Sequence, residues 1–381
     1  MAKGGFSASR LRRMHDVLAS YVERGELPGL VSLIERRDEL HVDAISCDPD
    51  AIFRIASMTK PVAAAAAMIL VEECTLRLDD PVAGLLPELA EPRVLRQLDS
   101  EIDDTVPAIR PITLRDLLTF RLGTGLVFGE PNAYPIQRAM DEAGVGPGPP
   151  DPEKYPDAER WMRDLGSLPP VYQPGEVWMY NTGAEVLGVL IARASGQSFG
   201  EFLAERIFEP LGMRDTGFWV PETSWSRLVM TDQSARSSWG RPPAFQSGGG
   251  GLVSTARDFL QFSRMMLGHG DVGGKRILSR PAVEAMTVDH LTAEQKARSA
   301  WLSGYWETHG WGFGMMIVTR RFDIASTPGK FGWDGGLGTS WRADPGEQMT
   351  TILLTPVGWT SPSAPDVFRD FWTLAYSAID D

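Results

Sequence analysis

Phe53-Arg-Ile-Ala-Ser-Met-Thr-Lys-Pro61 runs directly into an alanine-rich apolar stretch that ends at Val71. Inside it, Ser57-Met58-Thr59-Lys60 forms an S-x-x-K at the predicted start of a helix. Residues three apart share one helix face, so the Lys60 amine can reach the Ser57 hydroxyl. The N-terminus of a helix carries free N–H groups and partial positive charge, which lower a lysine pKa or stabilise a developing oxyanion. A serine nucleophile needs a base, and a desolvated neutral lysine can supply it. Alone, the tetrapeptide reads more readily as a capping serine beside a solvated lysine, because short motifs match by chance. The run from Met58 to Glu73 predicts a long core helix: alanine favours helix and close packing, and the run is apolar nearly all round.

Upstream, Leu11, Met14, Val17, Leu18, Tyr21 and Val22 recur at helical spacing, with Ser7 or Ser9 as cap. Pro28-Gly29 breaks the chain before a buried strand at Leu30–Ile34 and a second near His41–Ile45. Downstream, residues 80–235 read as mostly helical, with Thr113 capping one helix and Glu185–Ala194 forming another. Gly144–Pro152, GVGPGPPDP, is expected to be an exposed, lid-like loop. Strand signals return after about 245: Trp311–Thr319, then Ser340–Arg342 and Met349–Leu354 around the turn Asp344-Pro-Gly-Glu347. A last helix from Asp366 has Val367, Phe368, Phe371, Trp372, Ala375 and Ile379 as its apolar face. The pattern predicts an α/β (α+β) fold whose mainly antiparallel sheet is flanked by helices. Residues 1–79 and 236–381 would form one discontinuous domain, 80–235 an inserted mostly helical one, with the active site between them.

Composition narrows the function. The chain has 381 residues, 43% hydrophobic and 23% charged, enough for a large core. A net charge of −13 argues against nucleic acid as partner. Pro61–Val71 is too short for a bilayer, which needs about 20 residues, so no membrane span is expected. The five histidines are scattered and none has zinc-site spacing, so no metal is expected. Cys47 and Cys74 are too few for a disulfide framework. MAKGGFSASRLRRMHDVL holds no apolar run before a small-residue cleavage site, so no signal peptide is read and a cytoplasmic location is expected.

Phe53–Pro61 resembles the nucleophile segment of the serine β-lactamase and penicillin-binding-protein superfamily. Further segments agree in order: Ile112-Thr-Leu-Arg-Asp-Leu-Leu-Thr119, Pro174-Gly-Glu-Val-Trp-Met-Tyr-Asn-Thr182, Gly248–Asp258 and Trp333-Asp-Gly-Gly336. The likeness runs from about residue 10 to 375 and is greatest to class C β-lactamases, D-alanyl-D-alanine peptidases and family VIII carboxylesterases. It implies a β-lactamase-like fold with Ser57 as acylated nucleophile, Lys60 as the group that takes its proton and Tyr180 as a second acid/base group. It also implies an oxyanion hole from the N–H groups of Ser57 and Gly336. Whether Lys60 or Tyr180 is the acylation base stays open. A neighbouring ammonium is expected to lower the Tyr180 phenol and couple the two titrations.

Two departures bear on substrate. The family's Tyr-x-Asn is altered: Asn181 follows Tyr180 directly and Thr182 holds the asparagine position, so whether Asn181 reaches the site is open. Where many members carry lysine, or histidine in some, this chain has Trp333, which offers a substrate carboxylate no charge. Lys330-Phe-Gly332 is a rival K-x-G, but only Trp333-Asp334-Gly335-Gly336 puts paired glycines at the oxyanion position. Phe128 and Tyr134 are candidates to line an acyl pocket. Gly196-Gln-Ser-Phe-Gly200 matches the G-x-S-x-G elbow, but a helix rather than a strand precedes it. Ser198 therefore reads as a helix cap with Glu201 completing a capping box.

The expected activity is a serine carboxylesterase acting on small or hydrophobic esters through an acyl-enzyme on Ser57, without cofactor. The missing signal peptide favours this over export-linked alternatives, a β-lactamase or a D-alanyl-D-alanine-type peptidase. An acyltransferase of the same fold, or a non-catalytic binding protein, are the other readings. The expected partner is a small-molecule ester; a homo-oligomer is compatible with the sequence.

Overall fold

A computed structural model describes residues 5–148, 151–153, 155–232 and 234–381. Its centre is a seven-stranded sheet made from both ends of the chain. In chain order the strands are β1 (Leu30–Arg36), β2 (Glu39–Ile45), β3 (His309–Trp311), β4 (Met316–Val318), β5 (Phe331–Gly335), β6 (Thr339–Asp344) and β7 (Met349–Leu354). Their spatial order is β2-β1-β7-β6-β5-β4-β3, and every neighbouring pair is antiparallel.

Side chains alternate across this sheet and feed two cores. Leu30, Ile34, Met349 and Leu353 face α1 (Ala8–Glu23) and α5 (Asp366–Ser377), meeting Met14, Leu18, Phe368 and Phe371. Val31, Leu33, Ile352 and Leu354 face the larger core, which holds α2 (Thr59–Glu72), α3 (Thr182–Ser195) and α4 (Ala256–Leu267). Ala63 to Ala67 are fully buried there, so the alanine run lets α2 sit tightly among its neighbours. This larger core continues through residues 80–235, which among the described residues add no strand to the main sheet.

Local expectations hold in several places. Thr113 caps Leu114–Leu118 with a capping box completed by Asp116. Gly196 ends α3 in the left-handed region, and Ser198 and Glu201 form a second capping box. Trp311–Thr319 is not one strand. It holds the hairpin β3–β4, reversed at Gly314, whose φ is +71° and where a Cβ would lie 2.8 Å from the Lys60 carbonyl oxygen. The glycine–proline loop is described in part. Gly146 and Pro147 border a separate surface hollow with Asn132 and Asp141, away from Ser57, and Pro149 and Pro150 lie outside the described residues. Among the described residues no helix is long and apolar enough to cross a membrane.

Candidate active site

Ser57 stands in a single 3₁₀ turn, Ala56–Met58, that leads straight into α2. Ala56 enters it at φ +44°, a left-handed conformation that costs a non-glycine residue on the order of 1–3 kcal/mol. The sheet holds that turn in place. Thr339 Oγ1 donates to the Ile55 carbonyl at 3.0 Å, and a Cβ on Gly335 would come within 2.3 Å of the same oxygen. Gly335 is therefore glycine for packing, whereas a Cβ on Gly336 would meet nothing and project into open space.

Lys60 lies one turn further on and is 1% exposed. Its Nζ donates to Ser57 Oγ at 2.9 Å, to Asn181 Oδ1 at 2.7 Å and to the Gly249 carbonyl. Burial pulls its pKa down to about 7, and the Glu185 carboxylate pulls it back up.

Asn181 does reach the site, by an unusual route. It takes φ +84° and ψ −62°, a strained turn conformation just before α3, while Thr182 is buried in the first turn of the helix. Behind it stands Glu185, also buried. Its carboxylate accepts from Ser247 Oγ at 2.8 Å, from the Gly249 N–H at 3.2 Å and from the Asn181 side chain. Burial raises Glu185 above the usual carboxylate range, with Lys60 opposing. This residue was missed. The signal available was a lone acid at the head of the largely apolar run Glu185–Ala194.

Tyr180 presents its ring, not its hydroxyl, to the lysine: Lys60 Nζ lies 4.7 Å from the ring centroid. The Tyr180 hydroxyl oxygen accepts from the Trp333 indole nitrogen at 2.7 Å and also shares a hydrogen bond with Ser57. The expected lowering of the phenol is overturned. Burial raises it, and the bonds to Ser57 and Trp333 only partly compensate. Without an ammonium on its oxygen, the phenolate has no full counter-charge.

Ser57, Tyr180 and Trp333 line one cleft of about 240 Å³, which also includes Trp301, Tyr305, Asp334, Gly336 and Trp359. The cleft contains an arginine that sequence reasoning missed, Arg342, paired with Asp334. Lys330 is not the cleft's cation: it is buried over the Tyr376 ring in α5, 5.0 Å from its centroid. Phe128 and Tyr134 do not line this cleft. Phe128 packs edge-on behind Trp301, and Tyr134 begins the helix Pro135–Glu142 with its ring against Gly129.

Residues 14–363 match the family model described as Beta-lactamase. The chain belongs to the Beta-lactamase family. It is 37% identical over 357 residues to the protein Rv1367c of Mycobacterium tuberculosis, covering 87% of this chain and 86% of that one. It is 28% identical to the esterase EstB of Burkholderia gladioli, covering 94% and 93%. The solved structure of EstCE1, described as a hydrolase with promiscuous acyltransferase activity, superposes with a TM-score of 0.76 at 22% identity, covering 97% and 98%. Together these support a serine hydrolase of the β-lactamase superfamily with the β-lactamase/penicillin-binding-protein-like fold.

Proposed function

We propose that the protein is a serine carboxylesterase that cleaves neutral, largely apolar esters through an acyl-enzyme on Ser57. The observation that carries this is the three-way setting of Lys60 Nζ on Ser57 Oγ, Asn181 Oδ1 and the Gly249 carbonyl. Two of those partners are carbonyl oxygens, which only accept. When Lys60 is neutral, its two remaining protons stay on them and its lone pair faces the Ser57 hydroxyl. Because burial lowers Lys60 and raises Tyr180, the lysine is the acylation base and the phenol stays protonated near neutral pH.

Ser57 Oγ bonds to the ester carbonyl carbon as its proton passes to Lys60. The carbonyl oxygen takes the electron pair and is met by the Ser57 and Gly336 N–H groups. As that pair returns, the bond to the alcohol oxygen breaks, and Tyr180 donates its proton to the departing oxygen. Water in the cleft carries the Lys60 proton back to the phenol, because Lys60 faces the phenol ring rather than its oxygen. Water then attacks the acyl carbon, gives a proton to Lys60, and the acid leaves as Ser57 Oγ recovers that proton. The tryptophan walls, and the pairing of Arg342 with Asp334, favour a neutral substrate over a carboxylate.

A second reading, acyl transfer, draws on the same walls, since aromatic surface disfavours competing water. The test is p-nitrophenyl butyrate hydrolysis by wild type, Ser57→Ala, Lys60→Ala and Ser198→Ala. Activity should vanish in the first two variants and persist in the third. Loss in a folded Ser198→Ala alone would overturn the assignment. Ester formed on adding an alcohol would favour acyl transfer.

A further inference from the structure

Behind the cleft lies a second cavity of about 80 Å³, bordered by Leu98, Val127, Phe128, Val177 and Trp178. Arg298 also borders it, but its charge is answered by Glu176. The Trp301 indole lines the cleft and packs against Phe128 and Trp178, which border the small cavity. Its ring centroid is 5.5 Å from Phe128 and 5.3 Å from Trp178 on the far side, and 5.2 Å from Tyr180 on the cleft side. The backbone crosses at the same place: Ala300 borders the small cavity, Trp301 and Leu302 the cleft.

The segment is pinned just before the ring. Ser299 Oγ accepts from the Trp178 N–H at 2.9 Å, and the Ser299 carbonyl accepts from the Trp306 indole at 3.0 Å. The Trp301 indole nitrogen, by contrast, has no hydrogen bond among the described residues. Packing alone holds the ring, so turning it breaks no hydrogen bond.

We infer that Trp301 is a partition that sets the substrate's chain length. With the ring in place the cleft takes short chains. With the ring turned or shortened, the cleft continues into the small cavity and takes a longer unbranched alkyl chain. This rests on the esterase reading and names the part of the substrate that decides specificity.

The test compares wild type, Trp301→Ala, Trp301→Leu and Trp219→Ala on p-nitrophenyl acetate through octanoate, and on ethyl through octyl butyrate. The rate of Ser57 labelling by p-nitrophenyl alkylphosphonates of the same chain lengths is read in parallel. Each buried methylene is worth about fourfold, so the octanoate-to-butyrate ratio of kcat/KM should rise at least about tenfold in Trp301→Ala. Trp301→Leu should move the same way, and it carries the test where the alanine variant does not fold. Trp219→Ala, a half-exposed tryptophan that borders neither space, should leave the ratio alone. A shift confined to the alkyl butyrates supports the partition and assigns the chain to the alcohol side. Unchanged ratios in both ester series and in labelling overturn it. A wild type that labels but hydrolyses no ester fails the esterase reading, while the labelling ratios still decide the partition.

Discussion

The Trp333 indole N–H donates to the Tyr180 phenol oxygen at 2.7 Å, and the two rings lie 5.7 Å apart. A tryptophan thus supplies a neutral hydrogen bond where a lysine would supply a charge. It steadies the phenol without ionising it, which suits a group that must deliver a proton rather than take one.

Trp333→Phe keeps a ring and deletes that donor. Leaving a buried partner unmade costs about 1–3 kcal/mol. We expect kcat to fall by roughly 5- to 150-fold with little change in KM, read by steady-state kinetics on a short-chain ester. An unchanged kcat would separate the indole from the chemistry.

The pH profile should follow Lys60. In the proposed mechanism its neutral form is the base, and burial pulls it down to about 7, so kcat/KM should climb through that region. Tyr180 is raised, so no falling limb from the phenol is expected below about pH 10, its ordinary value. Glu185 favours the ammonium; in Glu185→Gln that counter-charge is gone, the lysine loses its proton more easily, and the rising limb moves to lower pH by about one unit. A pH-stat titration across both enzymes reads this, and a limb that stays put or moves up refutes it.

The paired glycines should separate cleanly. In Gly335→Ala the new methyl meets Thr339 Oγ1 at 2.1 Å and the Ile55 carbonyl at 2.3 Å, so stability should drop by about 1–3 kcal/mol. In Gly336→Ala it meets nothing, so the melting temperature should hold while kcat/KM for bulky acyl groups falls. Thermal denaturation and kinetics on both variants check the contrast.

Ser198→Ala should cost about 1 kcal/mol, the usual value of an N-cap, with activity intact. A denaturant melt alongside the butyrate assay measures both.

Much of this was legible because it obeys local rules. The apolar strands at Leu30–Ile34 and Met349–Leu354, the three-residue spacing of Ser57 and Lys60, and the helix caps Thr113 and Ser198 depend on neighbours in the chain. The place of Asn181, which the sequence left open, and the Phe128 reading turned on the fold instead. A positive φ at Asn181 swings that side chain onto Lys60, and Trp301 stands between Phe128 and the cleft.

By itself, then, the sequence pointed to the antiparallel sheet with its flanking helices through periodicity and turn signals, and to the neighbours Ser57, Lys60 and Tyr180 through the resemblance of its ordered motifs. Only the tertiary structure decided how those groups ionise and what surrounds them: the buried Glu185, the phenol raised rather than lowered, and Arg342 paired with Asp334. Desolvation and counter-charge come from residues that meet only when the chain folds, so residue order does not carry them.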